Sequence, residues 1–363
     1  MERELEAGAE PEILNPLQLK KGRGALTNPA GRFERIDMDY EPEEDSGEQI
    51  KTQFFADATK SIIATNDSPD VGFNASLNAY RGCEHGCIYC FARPTHEYLG
   101  LSSGIDFETK IFVKQNAPEL LREALTAKSW QPQVVVMSGV TDCYQPFEKK
   151  FEITRRCLEV FAEFRNPIAI ITKNHLVTRD RDILAQMAAW QGARVNVSIT
   201  TLDRELARTL EPRASTPQRR LEAVRQLSEA GIPVNVMVAP IIPGLTDDEI
   251  PAILEAAAQA GAQSAAKTLL RLPYNLKDHF EQWLEVHAPL RKQKVLNCLR
   301  EMRGGKLNNT EFGQRMRGQG EYYDTLSTLF ALQKKKHGLV GMREDLSIAH
   351  FRRPTDQLSL FDA

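Results

Sequence analysis

At 363 residues, with 46 Lys and Arg against 49 Asp and Glu and a formal net charge of −3, the chain exceeds one average domain and suits a barrel-type α/β domain with extensions. Six cysteines in that length, three of them in one loop, argue against a secreted disulfide scaffold and for a reducing compartment. The opening Met1-Glu-Arg-Glu-Leu-Glu6 lacks an apolar signal core and no run approaches a membrane span, so a cytoplasmic protein with no membrane partner is expected.

Residues 1–70 read as a charged extension with little core of its own. A basic stretch from Lys20 to Arg35 is followed by an acidic one from Asp37 to Glu48, the pattern of a solvated tail. Residues 71–290 then alternate apolar runs with amphipathic ones. A first strand is expected over 74–80, then helix 117–127 and strand 133–138, whose β-branched run has no polar alternation. Helix 151–165, strand 167–172, helix 180–190, strand 194–200, helix 218–230, strand 233–239, helix 248–260 and strand 266–272 follow. Gly192, Gly231 and Gly261 each stand between a helix and the next strand, where a left-handed residue ends the helix. Repeated βα units of this kind predict a parallel sheet.

Between the first strand and the first helix lies Tyr80-Arg-Gly-Cys-Glu-His-Gly-Cys-Ile-Tyr-Cys-Phe91. Its Cys83, Cys87 and Cys90 form a C-x3-C-x2-C spacing, and no fourth cysteine comes until Cys143. Three thiolates on a four-iron cluster leave one iron open to a small molecule. A zinc knuckle completed by His85 or His96 is the alternative, but zinc prefers paired C-x2-C ligands.

This loop, with an aromatic just before its last cysteine, resembles the signature of radical S-adenosylmethionine (SAM) enzymes. The resemblance implies a 4Fe-4S cluster on Cys83, Cys87 and Cys90, with SAM bound at the open iron. It also implies reductive cleavage to a 5'-deoxyadenosyl radical, an electron donor such as flavodoxin or ferredoxin, and a partial (β/α)6 TIM-type barrel with N- and C-terminal extensions. In barrels the chemistry sits at the carboxyl ends of the strands. Thr141, Asp142, Lys173 and Ser198 occupy such ends and offer the donors, acceptors and cation that a zwitterionic methionine needs.

Ser138-Gly-Val-Thr-Asp142, Ile171-Thr-Lys173 and Val197-Ser-Ile199 are similar to the strand ends of the spore photoproduct lyase and "DNA repair photolyase" branch. Carried over, Thr141, Lys173 and Ser198 would contact SAM and Tyr89 would pack near the adenine. The lyases' hydrogen-donating cysteine corresponds to Gly139 here, a departure. Cys143, and after it Tyr144, could face the barrel mouth and replace it, or Cys143 could be a compact buried residue. Cys157 and Cys298 sit on apolar helical stripes and are expected in the core.

Residues 291–350 form a basic segment closing or flanking the barrel; from 291 to 353, fourteen Lys and Arg face six Asp and Glu, a net of plus eight. Leu290–Met302 is expected as a basic helix. Residues 312–323 interleave Arg, Gly and aromatics, a composition suited to nucleic acid or to a Gly-rich closing segment. The tail, 351–363, carries Gln357-Leu-Ser-Leu-Phe361, which resembles the peptide by which bacterial repair proteins bind the sliding clamp. Gln357 would hydrogen-bond at the rim while Leu358, Leu360 and Phe361 fill an apolar groove. The expected function is therefore a radical SAM enzyme acting on a nucleic-acid-related substrate, in DNA repair. Alternatives are radical modification of a protein or RNA, or a non-catalytic iron-sulfur module tethered to the clamp.

Overall fold

The computed structural model describes residues 22–29, 31–33, 50–341 and 345–354. Strands β1 (Gln53–Ala56), β2 (Ile63–Thr65), β3 (Ala75–Leu77) and β4 (Tyr80–Arg81) come before the cysteine loop. After it lie α1 (Ile105–Thr109), β5 (Lys110–Val113), α2 (Ala117–Thr126), β6 (Val135–Met137), α3 (Glu148–Phe151) and α4 (Ile153–Phe164). The alternation continues through β7 (Ile168–Thr172), α5 (Arg181–Ala188), β8 (Ala193–Ser198), α6 (Arg204–Leu210) and α7 (Pro217–Glu229). It ends with β9 (Val234–Ile241), α8 (Ile250–Gln259) and β10 (Ser264–Leu269), followed by α9 (Leu276–His287), α10 (Pro289–Glu301) and α11 (Glu321–Lys336).

The main sheet runs β10-β9-β8-β7-β6-β3-β2. Its first six strands are mutually parallel, and β2 pairs antiparallel at the edge. These are the six barrel strands that the alternating apolar runs predict, in a mixed α/β fold of the TIM type. Alternate strand residues such as Ile168, Ile170, Val195 and Val197 are buried. They meet the apolar stripes of the helices, for example Ile153, Cys157, Leu158, Phe161 and Phe164 of α4. Helix starts are set locally: Asp203 caps α6 through the Glu205 and Leu206 amides, and Thr216 caps α7 ahead of Pro217.

A smaller sheet, β1-β5-β4, stands beside the cysteine loop. Residues 22–29 are not solvated along their length, as the charge of the segment suggests. Arg23 is buried and donates to the carbonyls of Glu108 (3.0 Å) and Ile50 (2.6 Å), while the amides of Gly24 and Ala25 donate to the Glu108 carboxylate. A side chain on Gly24 would stand 1.8 Å from the Gly86 carbonyl oxygen, so this segment lies directly against the loop.

At the other end, α11 packs on α8, and Lys267 of β10 donates to Ser327 at 2.6 Å. Asp70, between β2 and β3, accepts from the Gly313 amide (2.6 Å) and pairs with Arg315. Residues 303–319 thereby bridge the two ends of the open sheet. Residues 345–354 run beneath the amino ends of the strands: the Ser347 amide donates to Gln191 O (3.0 Å) and the Arg352 amide to Phe164 O (2.9 Å). Gln357, Leu358, Leu360 and Phe361 lie outside the described residues. Among the described residues no helix is long and apolar enough to cross a membrane.

Candidate active site

The cysteine loop leaves β4 above the carboxyl ends of the barrel strands. Gly82 (φ +80°) and Gly86 (φ +65°) adopt left-handed conformations, and a side chain at Gly82 would meet Phe107 O at 2.9 Å. The loop is tied down by backbone contacts from three directions: Cys83 N to Phe107 O (2.9 Å), Ile88 N to Leu210 O (3.0 Å) and Glu84 N to Gln145 Oε1 (2.9 Å). Arg93, fully buried, is the main brace. It donates to the carbonyls of Cys87 (2.9 Å) and Gly86 (3.1 Å), and pairs with buried Glu108 at 2.5 Å. Glu108 also holds the amides of Gly24 and Ala25, so one ion pair joins loop, α1 and N-terminal segment. Neither Arg93 nor Glu108 is distinguishable in the sequence from an ordinary surface charge.

The three thiols lie close together. Cys83 and Cys87 are buried and Cys90 is partly open. Burial raises all three thiols; Asp142 adds to this at Cys83 and Glu211 at Cys87. The histidines that could complete a zinc knuckle are engaged elsewhere. His85 faces Asp142 (3.4 Å) and Asn174 (3.1 Å), and His96 Nε2 meets Lys110 O at 2.9 Å. Among the described residues no three His, Cys, Asp or Glu side chains are grouped to hold a single metal ion. Three thiols on a tight glycine loop therefore fit a cluster wider than one ion better than a tetrahedral zinc.

Beside the thiols is a buried polar network that the sequence reading misses. Glu211 accepts from the Tyr89 hydroxyl, from Thr200 (2.8 Å) and from Arg220. Lys173 is 3.4 Å from Glu211, donates to Ala239 O at 2.9 Å, and stands 5.6 Å from the centre of the Tyr89 ring. Burial, and then Arg220, lower the Lys173 ammonium to about 8. Tyr89 is thus held by its hydroxyl, and Lys173 sits between the thiols and the ends of β8 and β9. The signal for Glu211 is weak, because it lies in a turn after α6 with no motif around it.

Asp142 and Thr141 work as buckles. Asp142 accepts from the Lys173 amide (2.8 Å), Thr172 Oγ1 (2.8 Å) and the Tyr144 amide (2.9 Å). Burial opposes its charge, but His85 and these amides hold its carboxyl below the usual range. Thr141 donates to Tyr80 O at 2.9 Å, which fastens the β6 loop to β4. Ser198 ends β8, buried, with its carbonyl held by Arg220 at 3.1 Å. Lys173 thus stands near Cys87 and Cys90, and Asp142 lies beside Cys83 with its carboxylate held by loop contacts.

Cys143 and Tyr144 are both buried. Cys143 is 2% exposed and belongs to the main apolar core; its amide donates to Ser138 Oγ (2.7 Å) and its carbonyl accepts from Thr154 (2.6 Å). Tyr144 is fully buried, with its hydroxyl on Asp180 at 3.1 Å. Both belong to the main core cluster, on a loop in which Ser138 adopts the left-handed region at φ +73°. Cys157 is in the core as expected, while Cys298 is half-buried on α10.

A cysteine loop of this spacing above six parallel strands defines a radical SAM domain, and residues 77–257 match the family model described as the Radical SAM superfamily. The chain belongs to that superfamily of enzymes, whose fold implies a 4Fe-4S cluster and SAM. An uncharacterized protein of Mycobacterium bovis is 38% identical over 214 residues, 58% of this chain and 63% of that protein, so the match spans less than two thirds of the relative. An uncharacterized protein of Methanocaldococcus jannaschii is 31% identical over 48% of this chain and 62% of its own. Structures of spore photoproduct lyase superpose with a TM-score of 0.56 at 16% identity over 78% of each chain, a likeness of fold.

Proposed function

We propose that Cys83, Cys87 and Cys90 hold the cluster and that Tyr89, Lys173 and Ser198 receive SAM beside it, with Thr141 and Asp142 fixing the loops that shape that place. The convergence of the three thiols with the Lys173-Glu211-Tyr89 network at the strand ends carries this reading. Bound together with a reduced cluster, SAM supplies a radical that abstracts hydrogen. The chain's own part is to orient and enclose. Lys173 offers a cation to a carboxylate, Tyr89 a ring face, and the buried walls keep water out.

The substrate we infer is nucleic-acid-related, and the setting DNA repair. One of the superposed lyase structures is complexed with a dinucleoside spore photoproduct. The reading departs from that protein in one respect: Gly139 carries no thiol and Cys143 is in the core, so hydrogen return by a cysteine at the mouth is not part of it. Radical modification of RNA or protein is the competing reading, and it has no structural observation of its own. A clamp-binding role for Gln357–Phe361 is compatible with residues 345–354, which end on the face opposite the cysteine loop and would leave the mouth clear.

The test is anaerobic reconstitution with iron and sulfide, dithionite reduction, and chromatographic measurement of 5'-deoxyadenosine from SAM, with and without damaged DNA. Wild type should form the product, and more of it with the right DNA. Cys87→Ala should lose most of its bound iron and all detectable product. A fully loaded cluster that cleaves no SAM under any of these conditions would refute the assignment.

A further inference from the structure

Beyond β10, on the catalytic side of the barrel, lies a cleft of about 480 Å³ lined by Leu272, Tyr274, Lys277, Arg300, Lys306 and Asn308 among others. No acidic side chain lines it. Among the described residues, Lys277, Arg300 and Lys306 have no ion-pair partner, in contrast to Lys292, which pairs with Glu285 at 3.3 Å. Leu272 and Leu307 join the floor of this cleft to the small apolar core that contains Cys87, Ile88 and Tyr89 of the cysteine loop. The cleft is therefore connected to the cysteine loop through one packed apolar cluster.

Three further features mark it as built to receive something. Asn308 Oδ1 is buried without a partner, an acceptor that awaits an N–H donor. Tyr274 is 55% exposed although its backbone is in the left-handed region (φ +54°), and the Arg32 guanidinium lies 3.6 Å from its ring centre. Behind the cleft, Arg271 and Arg315 face a single carboxylate, Asp70, Arg303 donates to Leu270 O at 2.6 Å, and the Nε atoms of Arg271 and Arg303 are buried without partners. Burial, and then Arg271, lower the Arg303 guanidinium to about 10. The region carries uncompensated positive charge at close quarters, which an anion would relieve.

We propose that this cleft binds the strand of a nucleic-acid substrate, with backbone phosphates on Lys277, Arg300 and Lys306 and a base against Tyr274 and Asn308. A polyanion with hydrogen-bonding, stackable groups matches all of these features, whereas an acidic peptide matches only the charge. The inference rests on the nucleic-acid reading of the substrate and places that substrate's path.

The experiment is a salt series of fluorescence-anisotropy titrations with a labelled single-stranded oligonucleotide on reconstituted protein, comparing wild type with the double variant Lys277→Gln, Lys306→Gln. Both lysines are exposed, and circular dichroism together with SAM cleavage in the absence of nucleic acid checks that the variant is intact. The variant should bind about tenfold more weakly at fixed salt. Its slope of log affinity against log salt should be shallower by about 1.4, the value for two lost phosphate contacts on a single strand. Equal affinity and slope in an intact variant would overturn the cleft while leaving the substrate reading standing. Failure of wild type to bind DNA or RNA, or its preference for poly-glutamate of equal charge, would overturn both.

Discussion

Two loops, one leaving β4 of the small sheet and one leaving β6 of the main sheet, both place a cysteine close to an acidic residue. The loop after β4 keeps its three thiols together because its backbone is held from outside, by buried Arg93 on the carbonyls of Gly86 and Cys87 and by Phe107, Leu210 and Gln145. The loop after β6 is held from inside: Asp142, Thr141 and Ser138 bond to its own and neighbouring backbone, and Cys143 goes into the core. A cysteine's availability thus follows from which groups carry the hydrogen bonds of its loop. Its neighbours in sequence do not decide it.

The comparison can be broken most severely at the brace. Arg93→Met would leave Glu108 as an unpaired buried charge, with an expected loss of about 3–5 kcal/mol in urea denaturation and poor retention of iron. An effect below about 1 kcal/mol would show that the loop stands without Arg93. The cysteine-loop side should also be the more acid-sensitive. His96 is lowered to about 4 and His279 to about 3, chiefly by burial. Both folded values lie below that of the unfolded chain, so the unfolded state takes up protons first. Stability should be full above about pH 6.5 and fall as pH drops toward 4, by on the order of 3 kcal/mol per group. His96→Gln should flatten part of that fall in urea midpoints measured across the range.

Lys173→Met should weaken SAM binding by about tenfold, the scale of one charge-assisted contact, with little change in iron content; equilibrium dialysis of the reconstituted protein would measure it. The smallest effect is expected in the other loop. Cys143→Ala should cost about 1 kcal/mol of stability or less and leave both SAM cleavage and product formation within about twofold. Intact SAM cleavage with abolished product formation would return Cys143 to a hydrogen-donor role.

Much of the frame is legible before any coordinates. The six barrel strands follow from apolar runs alternating with amphipathic helical ones, and the cysteine spacing stands out because few folds crowd three thiols into eight residues. The docking of residues 23–25 is not legible, since Arg23 in a basic, Gly-rich stretch has the composition of a tail. Nor are Glu211, which meets Tyr89 and Lys173 from far along the chain, and Arg220, which pairs with Glu211.

By itself, then, the sequence determined the order of strands and helices, the thiol loop and the apolar faces, because these depend on periodicity and spacing within one segment. The tertiary structure alone decided which charges are buried as pairs, that Cys143 and Tyr144 point into the core, and that Lys277, Arg300 and Lys306 share one cleft. Burial and charge compensation depend on groups brought together from distant parts of the chain, and no local pattern records that meeting.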